Sequence, residues 1–152
     1  MLKGLSTIFL RRVIRETLMR AHPHVFRSHR TVKLDMACIT DIQMARLNGE
    51  YREKSQPTDI LSFGLFEGVD AIRAVPKTGI IDLGQIMLSP EFIARSAMED
   101  GVSWEREFTY VFSHGVLHLV GFNHEDQMFD IQDAVTDSLA PLRQIRKRND
   151  QK

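Results

Sequence analysis

The sequence predicts an α+β fold in one domain, and three observations carry that expectation. Residues 31–39, 58–63 and 80–88 have the alternating or continuously apolar patterns of strands. Helical patterns with their own start and stop signals precede, separate and follow them. The 152 residues contain no internal repeat, low-complexity tract or linker, so residues 1–152 suit a single domain long enough to bury a core.

In chain order, residues 6–20 form the first helix, because Leu10, Val13, Ile14, Thr17 and Leu18 recur at helical spacing and the His22-Pro23-His24 turn stops it. That apolar face argues against reading the Arg-rich start as a transit peptide. His22, His24 and His29 straddle a proline in a polar loop and are read as surface histidines. Over 31–39, Val32, Leu34, Met36 and Cys38 share one face of a half-buried strand opposite Lys33 and Asp35, which makes Cys38 inert packing. Thr40 to Gln43 has the form of a capping box, and the short helix it opens is expected to end near Asn48-Gly49. A polar loop, Tyr51 to Pro57, then carries Arg52 and leads to the strand at 58–63. Residues 64–79, with three glycines and Pro76, read as a long mobile connection. Residues 80–88 are apolar on both faces, as in a central strand, and Gly84 marks a bulge or a close backbone approach. Ser89-Pro90 starts a helix that Gly101 ends. Another begins at Ser103 or Trp104, with Glu105 and Glu107 where the helix dipole favours them. From Phe108 to Val120 its polar residues are only Thr109, Ser113 and two histidines, so it is buried almost all round. Met128, Ile131, Val135 and Leu139 form the apolar stripe of a final helix that Pro141 breaks.

Composition narrows the setting. A hydrophobic share of 43% with 26% charged residues is ordinary for a soluble protein, and no apolar run approaches a membrane span. One cysteine, Cys38, excludes an internal disulfide and agrees with a reducing, cytoplasmic compartment. Net charge is zero, yet the charges are segregated: Arg11, Arg12, Arg15, Arg20, Arg27 and Arg30 crowd the start and Arg143, Arg146, Lys147 and Arg148 the end. If the two ends meet, they offer a polyanion a basic surface; otherwise they are two solvated faces.

The chemistry is concentrated in Ser113 to His124. His114 and His118 are four residues apart and stack on one helical face, Gly121 ends the helix, and His124 returns three residues later. Three imidazoles can thus converge and hold a divalent transition metal, most often zinc, with an open fourth position. The pattern H-x-x-x-H-x-x-G-x-x-H has the spacing of metzincin proteases, but Gly115 stands where their general-base Glu would be. Gly115 is expected to leave room above the metal.

The run His114-Gly115-Val116-Leu117-His118-Leu119-Val120-Gly121-Phe122-Asn123-His124 resembles the signature of the YbeY family, metal-dependent endoribonucleases of bacteria and organelles that act in ribosomal RNA maturation. Leu47-Asn48 with Tyr51-Arg52, then Pro57 to Phe63, is similar to a second family block, and Leu83 to Ile86 with Ser89 to a weaker third. The resemblance implies a compact domain whose small, mostly parallel or mixed sheet of about four strands is covered by helices, with a long buried helix carrying the ligands. It implies one Zn2+ held by His114, His118 and His124, with His114 and Arg52 catalytic and Arg52 on the RNA phosphate. It also implies a single-strand endoribonuclease that matures the 3′ end of small-subunit rRNA and serves ribosome quality control. The partners implied are ribosomal RNA, the small subunit and its assembly factors, with no membrane and a monomer favoured. Gln85, Gly64 and Asn123 depart from the family's usual Asp, Pro and Asp, and of these Gln85 and Asn123 bear on metal affinity. Glu107 lies two turns before His114 on the same face, either supporting the site or solvent-exposed. Two other functions stay open. One is a metalloprotease or other metal-dependent hydrolase; the other is a non-catalytic assembly factor whose structural zinc takes Cys38, Asp59 or Glu125 as fourth ligand.

Overall fold

A computed structural model of the chain describes residues 5–26, 30–76 and 79–142. The basic tail beyond Leu142, together with Arg27 and His29, lies outside the described residues, so the meeting of the two basic ends does too.

Ten elements follow one another: α1 (Thr7–Ala21), α2 (Pro23–Phe26), β1 (Thr31–Cys38), α3 (Asp41–Arg52), β2 (Ile60–Gly64), α4 (Val69–Arg73), β3 (Ile80–Leu88), α5 (Pro90–Asp100), α6 (Trp104–Leu119) and α7 (Asp126–Leu139). The described strands number three, not about four, and their order is β1-β3-β2. β3 is central as its two-sided apolar pattern requires, parallel to β1 and antiparallel to β2, so the sheet is mixed. The β1–β3 register shifts between Lys33 and Asp35, beside Gly84. At Gly84 φ is +107°, and a Cβ would lie 2.1 Å from the Phe63 carbonyl oxygen. Both readings of this glycine hold, the irregular register and the close approach.

α6 is the hub. It packs against β2 and β3 on one side and against α1, α5 and α7 on the others. Phe108, Phe112, Val116, Leu117 and Leu119 are fully buried on it, and they join Val13 of α1, Ile93 of α5 and Val135 of α7 in one hydrophobic cluster. The polar atoms inside are paired: Thr17 donates to the Val13 carbonyl at 2.7 Å, and the Ser113 hydroxyl lies 3.0 Å from Thr17 Oγ1. Caps fall where the sequence sets them. Ser103, Ser89 and Thr40 each accept from the backbone N–H three residues on, and Gln43 closes the capping box. No helix among the described residues is long and apolar enough to cross a membrane.

Four expectations need correction. α3 does not end near Asn48-Gly49 but runs on to Arg52, with Glu53 as C-cap in the left-handed region at φ 57°. Its extension is stabilised from outside, because the Asn48 side chain donates to the Gln56 carbonyl at 2.8 Å and folds the following loop back over the helix. Arg52 is therefore a last-turn helical residue, not a loop residue. The connection 64–79 is not wholly irregular; it contains α4, whose Ile72 is fully buried. His22 is no surface histidine. It is 3% exposed, its Nε2 donates to the Val120 carbonyl at 3.0 Å, and its ring meets Phe122 edge-on at 5.5 Å, because the end of α1 packs under the end of α6. His24 is exposed as expected. Finally, a Cβ on Gly115 would lie 2.3 Å from Ile60 Cδ1 and 3.1 Å from Ser62 Oγ. That glycine lets α6 sit close against β2, and the room it leaves is for the sheet rather than for a metal.

Candidate metal centre

One turn of α6 separates His114 from His118, so both rings leave the same face. Gly121 then redirects the chain at φ +94°, where a Cβ would meet the Gly68 backbone at 2.2 Å. Phe122 anchors the returning loop by its buried ring and by its N–H, which donates to the Leu117 carbonyl. His124 consequently swings back over the helix end. The three Nε2 atoms lie 3.0, 3.1 and 3.1 Å from one another.

For His114 and His118 the outer nitrogen fixes which tautomer the ring adopts. His118 Nδ1–H donates to the Phe122 carbonyl at 2.9 Å. His114 Nδ1 lies 3.2 Å from Gln132 Oε1, and the Gln132 amide is oriented by its own Nε2, which donates to the Tyr110 carbonyl at 3.0 Å. Both Nδ1 atoms thus carry the proton, which leaves His114 Nε2 and His118 Nε2 as lone pairs facing each other. Two facing lone pairs repel unless a cation lies between them. Protons are poor candidates: burial first, then the neighbouring His114, lowers the pKa of His118 to about 4, and burial lowers that of His114. A divalent metal suits the donor set. Three imidazoles bound at about 2.0–2.1 Å in a tetrahedral shell would stand about 3.3 Å apart, within a few tenths of an ångström of the spacing here. The three histidines are positioned to bind a metal ion. Among the described residues Cys38, Asp59 and Glu125 do not join the cluster.

The centre opens into a cavity of about 260 Å³. Arg52 lines it from the end of α3, and its charge lowers the pKa of His114 and of His118 further. Asp59, just before β2, lines it as well; burial raises its carboxyl pKa against the opposing effect of the Ile60 N–H. Glu107 is half-buried on the same wall, raised by burial first and then by Asp100 and Asp59. Gln85 is exposed on β3 and does not line the cavity, and Asn123 is exposed. The Nδ1 partners of His114 and His118 are Gln132 and Phe122, so the departure at Asn123 leaves both of these bonds intact.

Four cavity residues escaped the sequence reading: Gln132, Tyr110, Phe129 and the core residue Val111. Gln132 carried a signal, since it falls between Met128 and Val135 on the apolar stripe of α7 and is 1% exposed. A buried amide in such a stripe needs partners. The two aromatics gave none, because apolar residues on amphipathic helices are ordinary.

A model of the family described as endoribonuclease YbeY matches residues 5–140. The chain is 41% identical over 99 residues to the endoribonuclease YbeY of Heliobacterium modesticaldum, an alignment covering 62% of this chain and 59% of that protein's length. It is 35% identical over 130 residues to the endoribonuclease YbeY of Halalkalibacterium halodurans, covering 81% and 82% of the two chains. In fold it is similar to a Thermotoga maritima protein solved in solution, with a TM-score of 0.52 at 23% identity over 90% of this chain and 85% of the other. By the match that runs from the first turn before α1 to the end of α7, this chain belongs to the YbeY family.

Proposed function

We propose that the protein is a zinc-dependent endoribonuclease acting on single-stranded segments of ribosomal RNA during small-subunit maturation and quality control, in the cytoplasm. The observation that carries this reading is the convergence of three imidazole Nε2 atoms, two of them with inward lone pairs, in an open cavity that Arg52 also lines. The named activity of the relatives supports it.

His114, His118 and His124 would hold the zinc, which would supply Lewis acidity to the phosphoryl group and to the attacking oxygen. The chain's own residues do the rest. Arg52 offers a planar set of N–H donors to the nonbridging oxygens of the scissile phosphate and stabilises the charge that gathers on them in the transition state. Gln132 and the Phe122 carbonyl hold two imidazoles in the tautomer that turns Nε2 inward. Asp59 and Glu107 line the same cavity with carboxyl pKa values raised by burial, which suits proton transfer nearer neutrality.

Peptide hydrolysis in the metzincin manner lacks its base, since Gly115 faces Ile60 and Ser62 of the sheet. A closed structural zinc lacks a fourth protein ligand among the described residues. The test is cleavage of single-stranded RNA by purified protein, with metal content measured alongside. His114→Ala should lose both metal and cleavage; Arg52→Glu should keep the metal and lose at least a hundredfold in rate. Cleavage by His114→Ala equal to wild type would overturn the metal mechanism.

A further inference from the structure

The wall of the cavity opposite the sheet carries two aromatic side chains that the chemistry above does not use. Phe129, in the first turn of α7, is 38% exposed, and Tyr110, on α6, is 36% exposed. Both line the cavity with the three histidines and Arg52. Neither belongs to the hydrophobic core, to which α6 gives Phe108, Val111, Phe112, Val116, Leu117 and Leu119 and α7 gives Met128 and Val135. Phe129 lies nearly parallel to His124, with rings 16° apart in tilt and centroids 6.1 Å apart, and it stays partly open to solvent. Tyr110 is tied to the same part of α7, because its carbonyl accepts from Gln132, one turn beyond Phe129. A partly open aromatic ring beside a phosphate-directed arginine and a cation site is the combination that single-stranded nucleic acid uses: charge holds the backbone, and flat rings hold unstacked bases.

We propose that Phe129, with Tyr110 beside it on the same wall, is a stacking platform for a nucleobase adjoining the scissile phosphate. This rests on the endoribonuclease reading and deepens it: the platform selects single strands, because a base held in a duplex stack cannot leave to cover the ring. Stacking accepts any base, so the platform supplies affinity and strand selectivity without a sequence code.

The test is a double cycle of protein and substrate. Steady-state cleavage is measured on a single-stranded RNA oligonucleotide with a mapped cut, and on the same RNA with an abasic ribonucleotide at each position flanking it. Phe129→Leu keeps an apolar side chain and removes the flat ring. On intact RNA it should lower kcat/KM about tenfold or more, chiefly through KM, with bound zinc unchanged, and Phe129→Trp should restore the value. At one flanking position the abasic RNA should cost wild type a similar factor and cost Phe129→Leu nothing further. Equal kcat/KM for Phe129→Leu and wild type on intact RNA overturns the platform while leaving the ribonuclease standing. So does a loss in Phe129→Leu that persists undiminished on every abasic RNA, or one that follows loss of zinc, because the ring then only shields His124. Failure of wild type to cut any RNA overturns the ribonuclease reading and the platform with it.

Discussion

Gln132 reaches across from α7 to hold His114 in one tautomer, and it is held in turn by the Tyr110 carbonyl. Removing such a partner commonly costs 10- to 100-fold in metal affinity without removing a ligand. Gln132→Ala should therefore bind zinc about 10- to 100-fold more weakly in a competitive chelator titration, while its circular dichroism matches wild type. At this scale the sequence was half legible. The ligands were readable because helical spacing, a glycine stop and a third histidine coincide locally. The stripe of α7 marked Gln132 as a buried amide in need of a partner but not which partner, since the contact joins residues 18 apart and only the packing of α7 on α6 creates it. His22 was misread for the same reason: its partner, Val120, is 98 residues away. Its burial has a consequence for pH. Burial lowers the folded-state pKa of His22 below its ordinary 6.5. As pH falls below 6.5 the unfolded chain takes up the proton first, so stability present above that value is lost toward the folded pKa. His114 and His118 act in the same direction in metal-free protein. The midpoint of urea unfolding of metal-free protein should fall as pH drops from 6.5, and His22→Gln should fall less steeply.

At the level of elements, the turn from α6 to His124 depends on Gly121. Its φ of +94° is strained for any other residue, and a Cβ would strike the Gly68 backbone at 2.2 Å, which no rotamer change relieves. Gly121→Ala should cost about 2–4 kcal/mol, the sum of a strained backbone and a local clash, read by urea denaturation. The variant should also bind zinc more weakly, because His124 no longer returns to its place. Caps located α5 and α6, and an apolar stripe located α7, from local chemistry alone. The end of α3 escaped because a loop several residues on, through Asn48 and Gln56, prolongs the helix to Arg52. That extension places Arg52 on a regular helix at the cavity rather than on a polar loop.

Across the whole molecule, α6 joins the core to the site: one stretch of helix buries Phe112, Val116 and Leu117 and aims His114 and His118 outward. The strand patterns made the sheet's central member legible, but β1 and β2 flank β3 in opposite directions, an arrangement set by the crossovers and not by any strand's own residues. A metal held by three histidines that only the fold brings together would add its binding free energy to stability by mass action. Chelation should lower the thermal midpoint, and zinc at a hundredfold excess over its Kd should restore about 2.7 kcal/mol. The most direct measurement is RNA cleavage by chelated protein as zinc is added back in known ratio to chains. Activity should rise from near zero and level off at one zinc per chain, with no rise for His118→Ala. Full cleavage by the metal-free protein, or a His118→Ala titration matching wild type, would contradict the account.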